Sequence, residues 1–122
     1  MTSWTLFLDD ERHPARTDRR TVVCRTSAEA LEAMRQRGCP RVMLVDHDLG
    51  EGDDATAIFY PGLEDMVLDG VISIPEGFEV HIHSQNSVGG PYLAGKIQSL
   101  VGEMRRRAEE TCQAIEVPTQ PG

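Results

Sequence analysis

The 122-residue sequence predicts an α/β domain: a small three-layer arrangement around a mainly parallel sheet of about four strands, ordered 2-1-3-4. Three observations predict it. Val42-Met43-Leu44-Val45 is a continuous apolar run, the mark of a strand buried on both faces. Strand and helix patterns alternate from residue 21 onward, which implies parallel strands joined by right-handed crossovers. Three strand patterns, ending at Leu8, Val45 and Ile82, each run directly into acidic or imidazole residues. In an open parallel sheet the carboxyl ends of the strands are where ligands bind.

Trp4 to Leu8 is short, apolar and β-prone, and is the first strand. Asp9 to Arg20 is highly charged, lacks a helical apolar period and contains Pro14, so it reads as a loop over the top of the sheet. Thr21 to Arg25 is the second strand. Thr26 with Glu29 three residues on forms a capping box, and the helix it opens places Ala28, Leu31 and Met34 on one face. Gly38 and Pro40 stop that helix after Arg37. Val42 to Asp46 is the central strand, and 51–54 is a turn. Ala55 to Tyr60 fits helix or extended chain, with Pro61 forbidding one unbroken helix. Gly62 to Leu68 is a short helix closed by Asp69-Gly70. Val71 to Pro75 reads as an extended edge segment, Glu76-Gly77 as a turn and Phe78 to His83 as a strand.

Gly89-Gly90-Pro91 opens the last helix, Pro91 suiting its first turn. Leu93, Ile97, Leu100, Val101, Met104 and Ala108 recur at helical spacing and form one core-facing stripe. Arg105, Arg106 and Arg107 read as solvated charges near the helix's C-terminal end, complementing its dipole. The length supports a single domain, 1–116, with 117–122 as a loose tail.

A net charge of −8 and a pI near 4.9 disfavour extended nucleic acid as a partner unless basic residues cluster locally, and clustered acids are what a divalent cation needs. Cys24, Cys39 and Cys112 are odd in number and lack metal or disulfide spacing, which predicts reduced thiols in a cytoplasmic protein. The N-terminus lacks a signal-peptide pattern, and no segment has the roughly 20 apolar residues of a membrane span.

Asp9, Asp10, Asp46 and Asp48 converge under the predicted topology. Carboxylates at close quarters repel unless a cation joins them, and hard oxygen ligands of this kind suit Mg²⁺ or Mn²⁺. His47 and His83 are the general acid–base candidates, with Ser84 beside them. His81 is expected in the core or behind the site. Arg12, Asn86, Gly89 and Gly90 are the phosphate-binding candidates, the glycines because they open a helix whose free N–H groups attract anions. A metal, an imidazole pair and an anion pocket together fit phosphoester chemistry.

Leu6-Phe7-Leu8-Asp9-Asp10-Glu11-Arg12-His13-Pro14, Leu44-Val45-Asp46-His47-Asp48-Leu49-Gly50 and His83-Ser84-Gln85-Asn86-Ser87-Val88-Gly89 together resemble the cyclic-phosphate-processing receiver-like domains, a branch of the response-regulator receiver fold. The resemblance runs from about Trp4 to Leu100. It implies a metal-binding pair at Asp9-Asp10, Asp46 at the receiver's phosphoacceptor position, and processing of cyclic phosphate ends of nucleotides or RNA. A receiver's last strand and its lysine have no counterpart, since Lys96 falls within a helix. Ser87 stands where the family usually has proline, and Tyr92 where it has a polar residue. Two functions follow as expectations: metal-dependent hydrolysis of a cyclic phosphodiester or, alternatively, a receiver-like module that binds a partner or phosphorylated ligand without catalysis.

Overall fold

A computed structural model describes residues 3–11, 20–50, 52–83 and 88–116, with side chains to residue 110. Its order is β1 (Thr5–Leu8), β2 (Thr21–Cys24), α1 (Ser27–Arg37), β3 (Val42–Val45), a π-helical segment (Ala55–Phe59), α2 (Tyr60–Leu68), β4 (Glu79–Ile82) and α3 (Gly89–Glu116). The four strands form one all-parallel sheet in the order β2-β1-β3-β4, as the sequence predicts.

The register puts Leu6, Val22, Met43 and Val80 in one row and Leu8, Cys24, Val45 and Ile82 in the next. Side chains alternate across a strand, so these eight share a face. They pack in one core with Ala30 and Met34 of α1, Leu63, Met66 and Val67 of α2, and Leu93, Ile97, Leu100 and Val101 of α3. All three described helices therefore cover the same face. Handedness explains two of them: β2→β3 and β3→β4 both step the same way across the sheet, and right-handed crossovers then put their helices on one side. Any third layer falls on the β1–β2 connection, whose residues 12–19 lie outside the described residues. On the opposite face Phe7 is buried, while Glu79 and His81 are exposed. His81 thus faces outward, 4.0 Å from Glu79, and not into the core as expected.

The α1 boundaries follow their sequence signals. Thr26 Oγ1 accepts the Glu29 N–H at 3.1 Å, and Glu29 Oε1 accepts the Arg25 N–H at 2.8 Å, one residue earlier than in a standard capping box. Gly38 ends the helix at φ +85°, a conformation that costs glycine little. Ala30, not Ala28, is the buried alanine of its core stripe.

The segment after β3 differs from expectation. Residues 55–68 form one continuous helical path that changes pitch from π to α at Tyr60. Pro61 does not break it, because a proline in the first turn of an α-helix forfeits no intrahelical bond. Val71 to Pro75 is not a strand. The N–H groups of Val71 and Ile72 fold back onto Met66 C=O, and Ile72 is buried in the core. The edge of the sheet on this side is β4 alone. α3 is also longer than expected, so Arg105 to Arg107 lie well inside it, with Arg106 and Arg107 paired to Glu103. The proposed tail, 117–122, lies outside the described residues.

Candidate functional site

The carboxyl ends of β1, β3 and β4 are locked side by side by backbone bonds that continue past the strands. Asp9 N–H donates to Cys24 C=O (3.1 Å), Asp46 N–H to Leu8 C=O (2.8 Å) and His83 N–H to Val45 C=O (2.9 Å). These three residues sit at equivalent rungs, and that is why residues 37 positions apart along the chain meet. Asp10 follows at the turn, its Oδ2 3.8 Å from where a side chain on Gly50 would begin. Gly50 at φ +106° leaves that approach open.

Asp9, Asp10 and Asp46 each present a carboxylate oxygen, and these oxygens lie within 4.8 Å of one another. Asp9 is only 1% exposed. Its Oδ1 accepts the Glu11 N–H at 3.0 Å and its Oδ2 lies 3.1 Å from His83 Nε2. Burial pushes the Asp46 carboxyl above the ordinary value of 3.8; the Asp48 N–H bonded to it at 3.3 Å opposes this, the charge of Asp9 adds to it, His83 opposes it and Asp10 adds to it. Three crowded carboxylates, one of them already resisting ionisation, are a donor set that a small hard dication stabilises. On that ground the three carboxylates could hold a divalent cation.

His83 is part-buried, with its ring stacked on Phe7 at 5.3 Å between centroids and 23° between planes. The stack and the Asp9 contact fix the imidazole at the edge of the carboxylate group. With the proton on Nε2 donated to Asp9, Nδ1 carries the lone pair.

His47 is placed differently. It is buried, with Nδ1 3.0 Å from Asp48 Oδ1 and Nε2 3.1 Å from Asp54 Oδ1. Both ring nitrogens are committed to carboxylates. Gly89, at the start of α3, packs so tightly that a Cβ there would come within 2.6 Å of the ring. Asp54 also caps the π-helical segment, accepting the Thr56 and Ala57 N–H groups. His47 therefore ties the β3 exit to two helix starts. Asp48 belongs to this brace and not to the carboxylate group; the chain leaves the strand after Val45, and 63% of the Asp48 side chain is exposed. Gly90 is buried in the first turn of α3. Arg12, Ser84 and Asn86 lie outside the described residues.

Two residues the sequence reading missed support the site. Arg25 donates from Nη1 to Asp9 C=O at 2.9 Å, which ties the end of β2 to the backbone of a carboxylate residue. Asp53 accepts from the Ser27 N–H (2.9 Å) and Ser27 Oγ (2.5 Å), anchoring the 48–54 loop to the start of α1. Arg25 directly follows a strand end, and that position was the available signal. Asp53, a loop residue bonded across 26 positions, carried none. Burial pushes the Cys24 and Cys39 thiols up to about 11 and about 12, so neither supplies a thiolate nucleophile. Lys96 Nζ lies over the rings of Tyr60 and Tyr92, not beside Asp46.

No helix among the described residues is long and apolar enough to cross a membrane. Neither the curated proteins nor the solved structures gave a match. The family described as cyclic-phosphate processing receiver domain matches residues 4–99, well over half of the chain and the span that holds all three site-bearing strand ends. With its parallel 2-1-3-4 sheet and its acidic strand ends, this chain belongs to the cyclic-phosphate processing receiver domain family.

Proposed function

We propose that the protein hydrolyses a cyclic phosphodiester on a nucleotide or an RNA end, in a metal-dependent reaction. The observation that carries this reading is the contact of His83 with Asp9 at the edge of the three-carboxylate group. A non-catalytic binding module does not require an imidazole held in that place. Asp9, Asp10 and Asp46 would hold Mg²⁺ or Mn²⁺. When bound, such an ion neutralises the carboxylates and acts as a Lewis acid toward a phosphate oxygen.

The chain's own residues do the rest. Asp9 holds the His83 ring by its Nε2 edge and leaves Nδ1 to take a proton from the attacking water. The water forms a new P–O bond, one ring P–O bond breaks, and the departing sugar oxygen takes a proton from solvent, to which His83 then releases the one it accepted. The products are a phosphomonoester and a free hydroxyl. Arg25 fixes the Asp9 backbone, so that its carboxylate stays aimed at the cluster. His47 serves as a positioning residue, because neither of its nitrogens faces the cluster. The ligand is small or is a chain end; a net charge of −8 suits neither extended nucleic acid nor an anionic membrane. Reduced thiols suit a cytoplasmic protein.

The test is turnover of nucleoside 2′,3′-cyclic phosphates with and without Mg²⁺ or Mn²⁺, on wild type, Asp46→Ala and His83→Ala. Metal-dependent turnover lost in both variants supports the reaction. No turnover with any metal, with metal binding unchanged in Asp46→Ala, sinks it in favour of a non-catalytic receiver-like module.

A further inference from the structure

Tyr92 leaves 57% of its surface exposed, and no partner ring is stacked on it among the described residues. It does not hang loose. Lys96, the chain's single lysine, lies one turn further along α3 and holds its ammonium 5.3 Å from the Tyr92 ring and 5.2 Å from the Tyr60 ring. Tyr60 is itself buried and fixed through its hydroxyl, which donates to Glu64 at 3.1 Å. Tyr60, Pro91, Tyr92, Gly95, Lys96 and Ser99 line an open groove of about 490 Å³ between the first turns of α2 and α3.

The position of this groove gives it meaning. Tyr92 N–H donates to Val88 C=O at 3.2 Å, which sets Tyr92 in the first turn of α3. Gly89, in that same turn, packs against His47, the residue after Asp46. Tyr92 and its cation thus lie within two turns of the helix start that packs on His47, the residue following Asp46 in the chain. Flat aromatic faces with a nearby cation are how proteins hold an unstacked base without reading its sequence.

We infer that the Tyr60–Lys96–Tyr92 groove is a nucleobase subsite, with the base stacking on the exposed face of Tyr92 and Lys96 holding the ring in place. This rests on the proposed reaction for the ligand's identity, and deepens it: the substrate is a nucleotide or RNA end, recognised by its base as well as its phosphate, and a base-free cyclic phosphodiester is a poor one.

Calorimetric binding of uridine 3′-monophosphate and of base-free ribose 5-phosphate, in Mg²⁺, tests the subsite without turnover. Wild type is expected to bind the nucleotide roughly tenfold more tightly than the sugar phosphate, Tyr92→Ala to lose that preference, and Tyr92→Phe to keep it. Equal or absent binding of the two probes by wild type overturns the subsite. So does an equal loss for both probes in Tyr92→Ala. Turnover of uridine 2′,3′-cyclic phosphate beside ethylene glycol cyclic phosphate separates the two claims. A Tyr92-dependent base preference in binding without turnover of either substrate leaves the subsite standing and removes the reaction. Equal turnover of both substrates by wild type and Tyr92→Ala does the reverse.

Discussion

His83 Nε2 lies 3.1 Å from Asp9 Oδ2, joining two residues 74 positions apart at the ends of strands that are not neighbours, since β3 runs between them. The pair closes the carboxylate group on its β4 side. Removing the imidazole should therefore cost chemistry more than stability. His83→Ala is expected to lower kcat by roughly 10²–10⁴, the usual worth of a proton-transfer group, with the melting temperature falling by only about 5 °C for the lost Phe7 stack. Steady-state kinetics beside thermal unfolding check it. Full rate in the variant removes the proton-transfer role.

Asp46 carries a pH signature. Its carboxyl is raised above 3.8, first by burial. As pH climbs through the interval above 3.8, the unfolded chain ionises this group before the folded one does, so folding loses stability across that window. Asp46→Asn removes the effect. The metal-free variant should melt at the same temperature as wild type, or slightly lower, near pH 3, and about 2–5 °C higher at pH 7. Added Mg²⁺ should raise the melting temperature of wild type and not of the variant. A variant less stable than wild type at pH 7 would mean that the Asp48 N–H bond outweighs burial and repulsion.

Gly89 and His47 form a coupled pair. Alanine normally improves a helix position by about 1 kcal/mol over glycine. Here its Cβ would meet a buried ring held by two carboxylates, and overpacking should instead cost about 1–3 kcal/mol. Shrinking the ring in His47→Ala makes room, so Gly89→Ala should cost much less in that background. A double-mutant cycle by denaturant unfolding measures the coupling; strict additivity would show that the helix start simply moves aside.

Asp53 anchors the loop through one carboxylate and two donors. Asp53→Ala leaves the buried Ser27 hydroxyl without that acceptor and is expected to cost about 1–3 kcal/mol. Ser27→Ala removes the donor itself and should cost less. Urea denaturation orders the two; the reverse order would contradict the asymmetry between an orphaned group and a deleted one.

Much of this protein was legible before any coordinates. Val42 to Val45 announced a strand by its unbroken apolar run. Thr26, Glu29 and Gly38 marked the limits of α1, because capping is a local hydrogen-bond problem solved within a few residues. The alternation of strands and helices determined a parallel sheet, and right-handed crossovers left few orders to choose from. With the order settled, the acids that follow β1 and β3 had to meet.

Tertiary structure alone decided which side chains face one another. Asp46 and Asp48 look equivalent in Asp-His-Asp, yet only Asp46 joins Asp9 and Asp10, while Asp48 turns away with His47. Val71 to Pro75 reads as a strand, but a bond back to Met66 and a buried Ile72 outweigh β propensity there. Lys96 looks like a misplaced receiver lysine until Tyr60, 36 positions earlier, is set beside it. Local sequence governs backbone hydrogen bonds and the faces of single elements. Pairing between distant side chains depends on packing that no short stretch of sequence encodes.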